Sequence, residues 1–249
     1  MNNRPKFWQS LFDQPWFAQS GFAQSGFAQP CLLCGASSRS GILCSACDDD
    51  LPYLTASCCP VCATPTPGGE TCGRCLQHPP QFQRTTAAFT YTFPLDKLLH
   101  ALKYGEQLVL VNSLADKLVQ RVQTTQLTHQ PYPDYLVPMP LHPARLRERG
   151  FNQSLELARR VGEQLNIPLR VNACQRVRDT PPQFSLSWKE RDKNMRRAFV
   201  CTEDFSGKSV AVVDDVMTSG ASLNELALTL KSAGATEVSA WLIARTLPH

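Results

Sequence analysis

Val210-Ala-Val-Val213 is an unbroken apolar run of β-branched and small residues. A strand buried on both faces of a parallel sheet reads this way, whereas a half-solvated strand alternates. Alternation does appear from Thr85 to Phe93, which predicts a second strand. Apolar residues recur at helical spacing from Leu95 to Leu102 and from Leu108 to Val122, predicting two helices joined around Tyr104-Gly105-Glu106. His100 and Lys103 lie on the first of them, where a half-buried packing role is the simpler reading of the histidine. Asp134 to Pro140 reads as a short strand entering a proline-stiffened loop. Further helices are predicted from about Ser154 to Leu165 and from about Leu223 to Ala233. This order of strands and helices predicts an α/β fold on a mostly parallel sheet flanked by helices.

Asp214 and Asp215 follow the apolar run directly, and then comes the turn Thr218-Ser219-Gly220-Ala221-Ser222. Open α/β sheets bind ligands at the carboxyl ends of their strands. The turn offers unhindered backbone N–H groups and three hydroxyls at the start of a helix, where a phosphate meets the positive end of the helix dipole. Two carboxylates beside it suit the vicinal hydroxyls of a ribose. A single acid at this place would more simply cap the helix; the adjacent pair followed by Thr-Ser-Gly points to a sugar phosphate. Neither G-x-x-x-x-G-K-[ST] nor G-x-G-x-x-G occurs, so a Walker site and a dinucleotide fingerprint lack support. Val210 to Ser222 resembles throughout the thirteen-residue signature of the type I phosphoribosyltransferases. That resemblance implies that Asp214 and Asp215 contact the ribose of phosphoribosyl pyrophosphate (PRPP), while Thr218, Ser219, Gly220, Ala221 and Ser222 cradle its 5′-phosphate.

Nine of the eleven cysteines fall between residues 31 and 75, as Cys31-x2-Cys34-x9-Cys44-x2-Cys47 and Cys59-x2-Cys62-x9-Cys72-x2-Cys75. The second set repeats the first at a constant offset of 28 residues. Four thiolates in two C-x2-C knuckles are what tetrahedral zinc requires, so two structural, closed Zn2+ sites are expected. Pairing of knuckles across the repeat and a single filled site remain open alternatives. A disulfide framework is the competing account, but a reducing compartment disfavours it. Cys58 reads as a spectator, and Cys174 and Cys201 as core or surface thiols. Arg39 and Arg74 are the only basic residues from Cys31 to Cys75, against Asp48, Asp49, Asp50 and Glu70, so the module reads as scaffold rather than phosphate-contacting surface.

At 249 residues and 43% hydrophobic residues, the chain has room for one full domain and a small module. We expect a flexible tail over 1–30, a double zinc ribbon over 31–80 and, by the resemblance above, a phosphoribosyltransferase-like α/β domain over 81–249. No apolar run approaches the roughly 20 residues that span a bilayer, and the first thirty residues lack the apolar core of a secretion signal; the expectation is a cytoplasmic protein without membrane insertion. Those residues instead repeat Phe-Ala-Gln-Ser-Gly from Phe17, a composition of flexible tails. The net charge of +4 is unevenly spread: residues 141–200 hold thirteen Arg or Lys against six Asp or Glu. Such a segment attracts nucleic acid or a pyrophosphate, although a solvated face accounts for many of its arginines. Within it Arg145, Arg147 and Arg149 precede a Gly150-Phe-Asn-Gln turn, and an arginine fork matches phosphate oxygens bidentately. From Arg176 to Phe199 the chain is polar and broken by prolines, the composition of a mobile lid.

The cysteine knuckles join with Pro138-x-Pro-Leu-His142, Arg149-Gly-Phe-Asn-Gln-Ser154, Thr180-x2-Gln183, Arg191-x2-Asn194, Ala198-Phe199 and Val213-Asp-Asp-Val-Met-Thr218 in a pattern similar to the ComF/GntX family, over about residues 31 to 246. The resemblance implies a double zinc ribbon on a phosphoribosyltransferase-like domain, and a role in natural competence or in using external DNA as a nutrient. It further implies PRPP held with Mg2+ at Asp214, Asp215 and Thr218 to Ser222, with Arg145 or Arg149 near the pyrophosphate. A hood of the zinc module and residues around 85–130 would then choose an acceptor that the sequence does not name. Two functions are compatible with this: phosphoribosyl transfer, or a non-catalytic PRPP sensor or docking element that touches single-stranded DNA or a helicase-like DNA-processing protein.

Overall fold

The computed structural model describes residues 28–39, 41–105, 107–126, 131–179 and 195–247. Residues 1–27, which hold the phenylalanines of the repeat, and Thr180, Gln183, Arg191 and Asn194 of the expected lid lie outside the described residues, whereas the end of the expected tail, Gln29–Pro30, pairs with Ser37–Ser38.

In chain order the elements are β1 (Gln29–Pro30), β2 (Ser37–Ser38), α1 (Ser45–Asp49), α2 (Gly73–Gln77), β3 (Arg84–Thr90), α3 (Leu95–Tyr104), α4 (Val109–Gln126), β4 (Tyr135–Pro138), α5 (Pro143–Arg149), α6 (Gln153–Leu165), β5 (Cys174–Arg176), β6 (Phe199–Cys201), β7 (Ser209–Met217), α7 (Ala221–Ser232) and β8 (Glu237–Arg245). Strands β3, β8, β7 and β4 form one sheet in that order, and every pairing within it is parallel. The continuous apolar pattern of β7 has the reason given for it: Ala211 and Val213 enter one core with Leu98, Leu118 and Leu157, while Val210 and Val212 enter a second with Leu226 and Leu230. The α/β fold with a parallel sheet between helices, carrying a cysteine-rich module at its N-terminal side, stands as expected.

Two boundaries differ in ways that matter for the site. The apolar run was expected to end before the acids, but β7 runs on to Met217 because Asp214, Val216 and Met217 keep their register with Leu242, Ala244 and Arg245. The acids are therefore held by a sheet ladder rather than by a loop. Helix α7 begins at Ala221, two residues before the expected start, with Gly220 as its left-handed N-cap (φ 84°). The pattern does not predict α5 or β8. Helix α5 buries none of its residues, so it carries no apolar stripe to read, and its start is set by Pro143 after the capping His142. The apolar stretch of β8 from Ala240 to Ala244 is too short to separate from a buried helical turn by periodicity.

Candidate functional site: twin acids, a hydroxyl-glycine turn and two cysteine clusters

Each set of four cysteines closes on itself: the sulfurs of Cys31, Cys34, Cys44 and Cys47 lie within 4.8 Å of one another, and so do those of Cys59, Cys62, Cys72 and Cys75. Pairing across the repeat is thereby excluded. The Sγ atoms of Cys34 and Cys44 are 3.7 Å apart, and those of Cys62 and Cys72 3.6 Å. A tetrahedron of sulfurs about 2.3 Å from zinc has edges of about 3.8 Å, so both cages fit the ion. Burial pushes the Cys47 and Cys75 thiols up, a cost that zinc offsets by binding the thiolates. Neither cage leaves a ligand position for chemistry, and both are structural Zn2+ sites.

The segment Arg149 to Ser154 builds one wall of the acidic site. Gly150, at φ 82°, ends α5, and Asn152 then caps α6 by accepting from the Ser154 N–H at 3.0 Å. The Asn152 amide also donates to the Met139 carbonyl at 3.0 Å, which clamps the start of α6 to the end of β4. Ser154 is thereby aimed at the sheet, and its hydroxyl donates to Asp214 Oδ1 at 2.8 Å. Gln153, 4% exposed, accepts from Arg149 at 2.6 Å and hydrogen-bonds Asp215. Opposite this wall, α3 brings the Lys103 ammonium into an ion pair with Asp215 Oδ2.

The two acids consequently differ. Burial, and then the neighbouring Asp215 charge, pushes Asp214 up to about 7. Burial acts the same way on Asp215, but the Lys103 ammonium outweighs it and holds that carboxyl below its ordinary value. Arg176 adds positive potential near Asp214, and its burial lowers its own pKa. At neutral pH one acid is ionised and neutralised, and its neighbour sits at its titration point.

On the other side of the strand end, the turn from Thr218 to Gly220 meets the second cysteine cluster. Between them lies a cavity of about 430 Å3 lined by Cys72, Arg74, His78, Phe82, Ser219 and Asn224 among others, but by neither acid. Arg74 donates to the Ser219 carbonyl at 3.1 Å, and the Gln81 N–H donates to Asn224 Oδ1 at 2.7 Å. Arg245, at the end of β8 and 3% exposed, donates to the carbonyls of Cys62 (2.8 Å), Met217 (3.0 Å) and Thr218 (2.5 Å).

Comparison with known proteins fits this arrangement. The double zinc ribbon family model matches residues 23–76. The "DNA utilization protein YhgH" of Salmonella typhi is 37% identical over 87% of this chain and 97% of its own length. The chain belongs to the ComF/GntX family. Competence protein F of Haemophilus influenzae is 32% identical over 86% of this chain and 90% of its own, and competence protein ComFC of Bacillus subtilis 25% identical over 82% and 84%. A purine phosphoribosyltransferase from Pyrococcus horikoshii aligns over 52% of this chain and 68% of that one at 20% identity and a TM-score of 0.34, a likeness too weak to argue from.

Within this ComF/GntX member, Asp214, Asp215 and the turn to Ser222 converge on the sheet's C-terminal end. Of the two singled-out arginines, Arg149 joins that wall, its guanidinium 5.3 Å from the Tyr104 ring centre, whereas Arg145 pairs with Glu148 on the exposed side of α5 at 3.0 Å. Sequence reasoning passed over Lys103, Gln153, Ser154 and Arg245. The lysine was visible on a predicted helix, but which residue faces the acids is decided by how that helix packs. Arg74, read as part of a scaffold, contacts the Thr218–Ser222 turn itself. Cys174 and Cys201, unpaired in the sequence reading, stand opposite each other in the β5–β6 ladder. No described helix is long and apolar enough to cross a membrane.

Proposed function

We propose that this protein binds PRPP together with Mg2+ at the end of β7 and serves the uptake or use of external DNA, a reading supported by relatives named for DNA utilization and for competence. The reading is carried by one observation: two adjacent carboxylates on a sheet-held strand, followed within five residues by a glycine-capped helix start. Asp214 and Asp215 would hold the ribose hydroxyls. Thr218 to Ser222 would meet the 5′-phosphate with backbone N–H groups and hydroxyls. Arg149, bonded to the Gln153 that contacts Asp215, would meet the pyrophosphate, with Arg145 one turn earlier on the same helix. Asp214 and Asp215 would hold Mg2+ together with the ligand, and the ion would supply neutralisation of the pyrophosphate charge. In a transfer reaction the anomeric carbon gains cationic character as pyrophosphate leaves, and the protein's part is positioning and charge stabilisation.

A specific observation favours a non-catalytic version of the same site. Asp215 is already neutralised by Lys103, so a ligand must displace or share an ion pair before it gains the carboxylate. A sensor that changes state on binding uses such an exchange, and fold alone does not decide between sensor and enzyme. Docking to single-stranded DNA or to a helicase-like partner belongs to this second reading, through arginines of residues 141–200.

Calorimetric titration of PRPP with Mg2+ into the zinc-loaded protein tests the site. Binding by the wild type and its loss in Asp214→Asn/Asp215→Asn is the expected result; equal or absent binding in both overturns it. Release of pyrophosphate with any nucleobase or amine acceptor then separates enzyme from sensor. DNA binding unchanged by Arg147→Ala and Arg196→Ala would remove direct nucleic-acid contact.

A further inference from the structure

The second cysteine cluster and the turn are joined by side chains that neither zinc binding nor PRPP binding requires for itself. Arg245 comes from the last residue of β8, opposite Met217 in the ladder. It reaches the carbonyl of a metal ligand, Cys62, with Nε and the carbonyls of Met217 and Thr218 with Nη1. Burial lowers its pKa, a cost that four carbonyl partners, the fourth being Thr246, and the nearby cluster thiols partly offset. Arg74 makes a second bridge: it sits on α2, between the ligands Cys72 and Cys75, and holds Ser219. The Gln81 backbone, just beyond α2, makes a third through Asn224 on α7. Gly220 is packed from the same side, because a Cβ there would lie 3.8 Å from Phe82. The first cluster has no such link to the turn among the described residues.

We propose that Arg245, assisted by Arg74, is a positioning residue that couples the second four-cysteine cluster to the Thr218–Ala221 turn, so that zinc in that cluster and a phosphate at the turn stabilise each other. This rests on the PRPP reading of the turn. Arg245 and Arg74 fix the carbonyls of Met217, Thr218 and Ser219, and the Ala221 N–H donates to Ser219 Oγ at 3.3 Å, a bond that a phosphate oxygen would replace. Loss of zinc frees α2 and the Cys62 carbonyl, and the turn loses its template. Coupling of this kind is reciprocal: whatever zinc adds to phosphate affinity, phosphate adds to zinc affinity.

The test uses the full zinc-loaded chain under a chelator, with cysteine alkylation followed peptide by peptide in mass spectrometry. Saturating PRPP with Mg2+ is expected to slow alkylation of Cys62 and Cys72 about fivefold or more, within the usual range of coupling, and to leave Cys31 and Cys44 unchanged as an internal control. In Arg245→Met, which keeps the apolar stem and removes the donors, the protection should vanish while the cluster still takes up zinc. Arg74 is exposed, so Arg74→Met keeps the question answerable if the first variant fails to fold; it should retain part of the protection. PRPP binding without protection in the wild type, or protection unchanged in Arg74→Met and Arg245→Met, overturns the coupling alone. Absence of PRPP binding by the wild type sinks the reading of the turn and this inference with it.

Discussion

The two cysteine clusters have the same ligand spacing, each rests in its own apolar core, and they differ in what else they touch. Around the first, Leu32, Leu33, Leu43 and Leu51 merge with Leu95, Leu98, Leu99 and Leu102 of α3 and with the apolar face of α4. Lys117 of α4 adds an ion pair to Asp48, and Arg121 donates to the Thr55 carbonyl at 3.0 Å. Around the second, the contacts that reach the sheet end include a set of polar bridges onto one turn. The two halves of the repeat thus support different parts of the fold. The first cluster backs α3, which delivers Lys103 to Asp215, and the second backs the turn that follows the acids. Each half of the candidate site has its own metal-closed support.

The largest effect should come from setting ligand substitutions in the two clusters side by side. Structural zinc contributes about 10 kcal/mol or more to folding in small modules, as much as a typical domain's whole stability. Because Cys31 is fully buried in the core shared with α3 and α4, Cys31→Ser should abolish the cooperative thermal transition seen by circular dichroism. Cys72, half-buried beside the cavity, should when changed to Ser keep the transition of the sheet at a lower midpoint and lose PRPP binding. Equal losses of the sheet transition in both would erase the distinction.

Next in size is Lys103→Met, which leaves the Asp215 charge buried without its partner. A loss of about 3–5 kcal/mol is expected in urea unfolding at neutral pH, mostly restored by adding Asp215→Asn. The sign with pH is set by Asp215, whose folded pKa lies below the unfolded one: the stabilising pair is present above the ordinary carboxylate range and is lost as pH falls through the folded value. No recovery in the double variant would show that α3 needs the lysine for packing rather than for the pair.

The smallest effect is on affinity. Asp214, at about 7, must ionise before it serves a ribose–Mg2+ ligand. PRPP binding should therefore tighten by about tenfold from pH 6 to pH 8, and the dependence should disappear in Asp214→Asn. Stability runs the other way, since a raised carboxyl makes the folded state less favourable as pH rises from about 4 to about 7. A flat affinity profile in the wild type would mean that Asp214 does not contact the ligand.

Much of this was legible in the chain because it is written locally. The cysteine spacing named the eight ligands, with their grouping decided by the fold, and the run from Val210 to Ser222 marked strand, acids and turn within thirteen residues. What escaped depends on separations that no window spans. Lys103 meets Asp215 across more than a hundred residues, and Arg245 meets Cys62 across 183. Ser154 is an intermediate case: it lies in the Arg149–Ser154 signature, but its role appears only when Asn152 fastens α6 to β4. Strand β8 escaped for another reason: its apolar run from Ala240 to Ala244 lacks the following acids and turn that marked β7, and alone it reads equally as a buried helical turn.

The sheet order also sets a timetable. The last strand in sequence, β8, lies between β3 and β7, so β3 has no neighbour in the sheet until residues 237–245 have been made. On the ribosome, where chains fold from the N-terminal side, the two ribbons have all their ligands early and can take up metal while the sheet is still open. A stop codon even a dozen residues early would take away a central strand together with Arg245, and leave loaded ribbons on an unclosed sheet. Such a product would expose the bare edges of β3 and β7, which makes it prey for proteases and for its own copies.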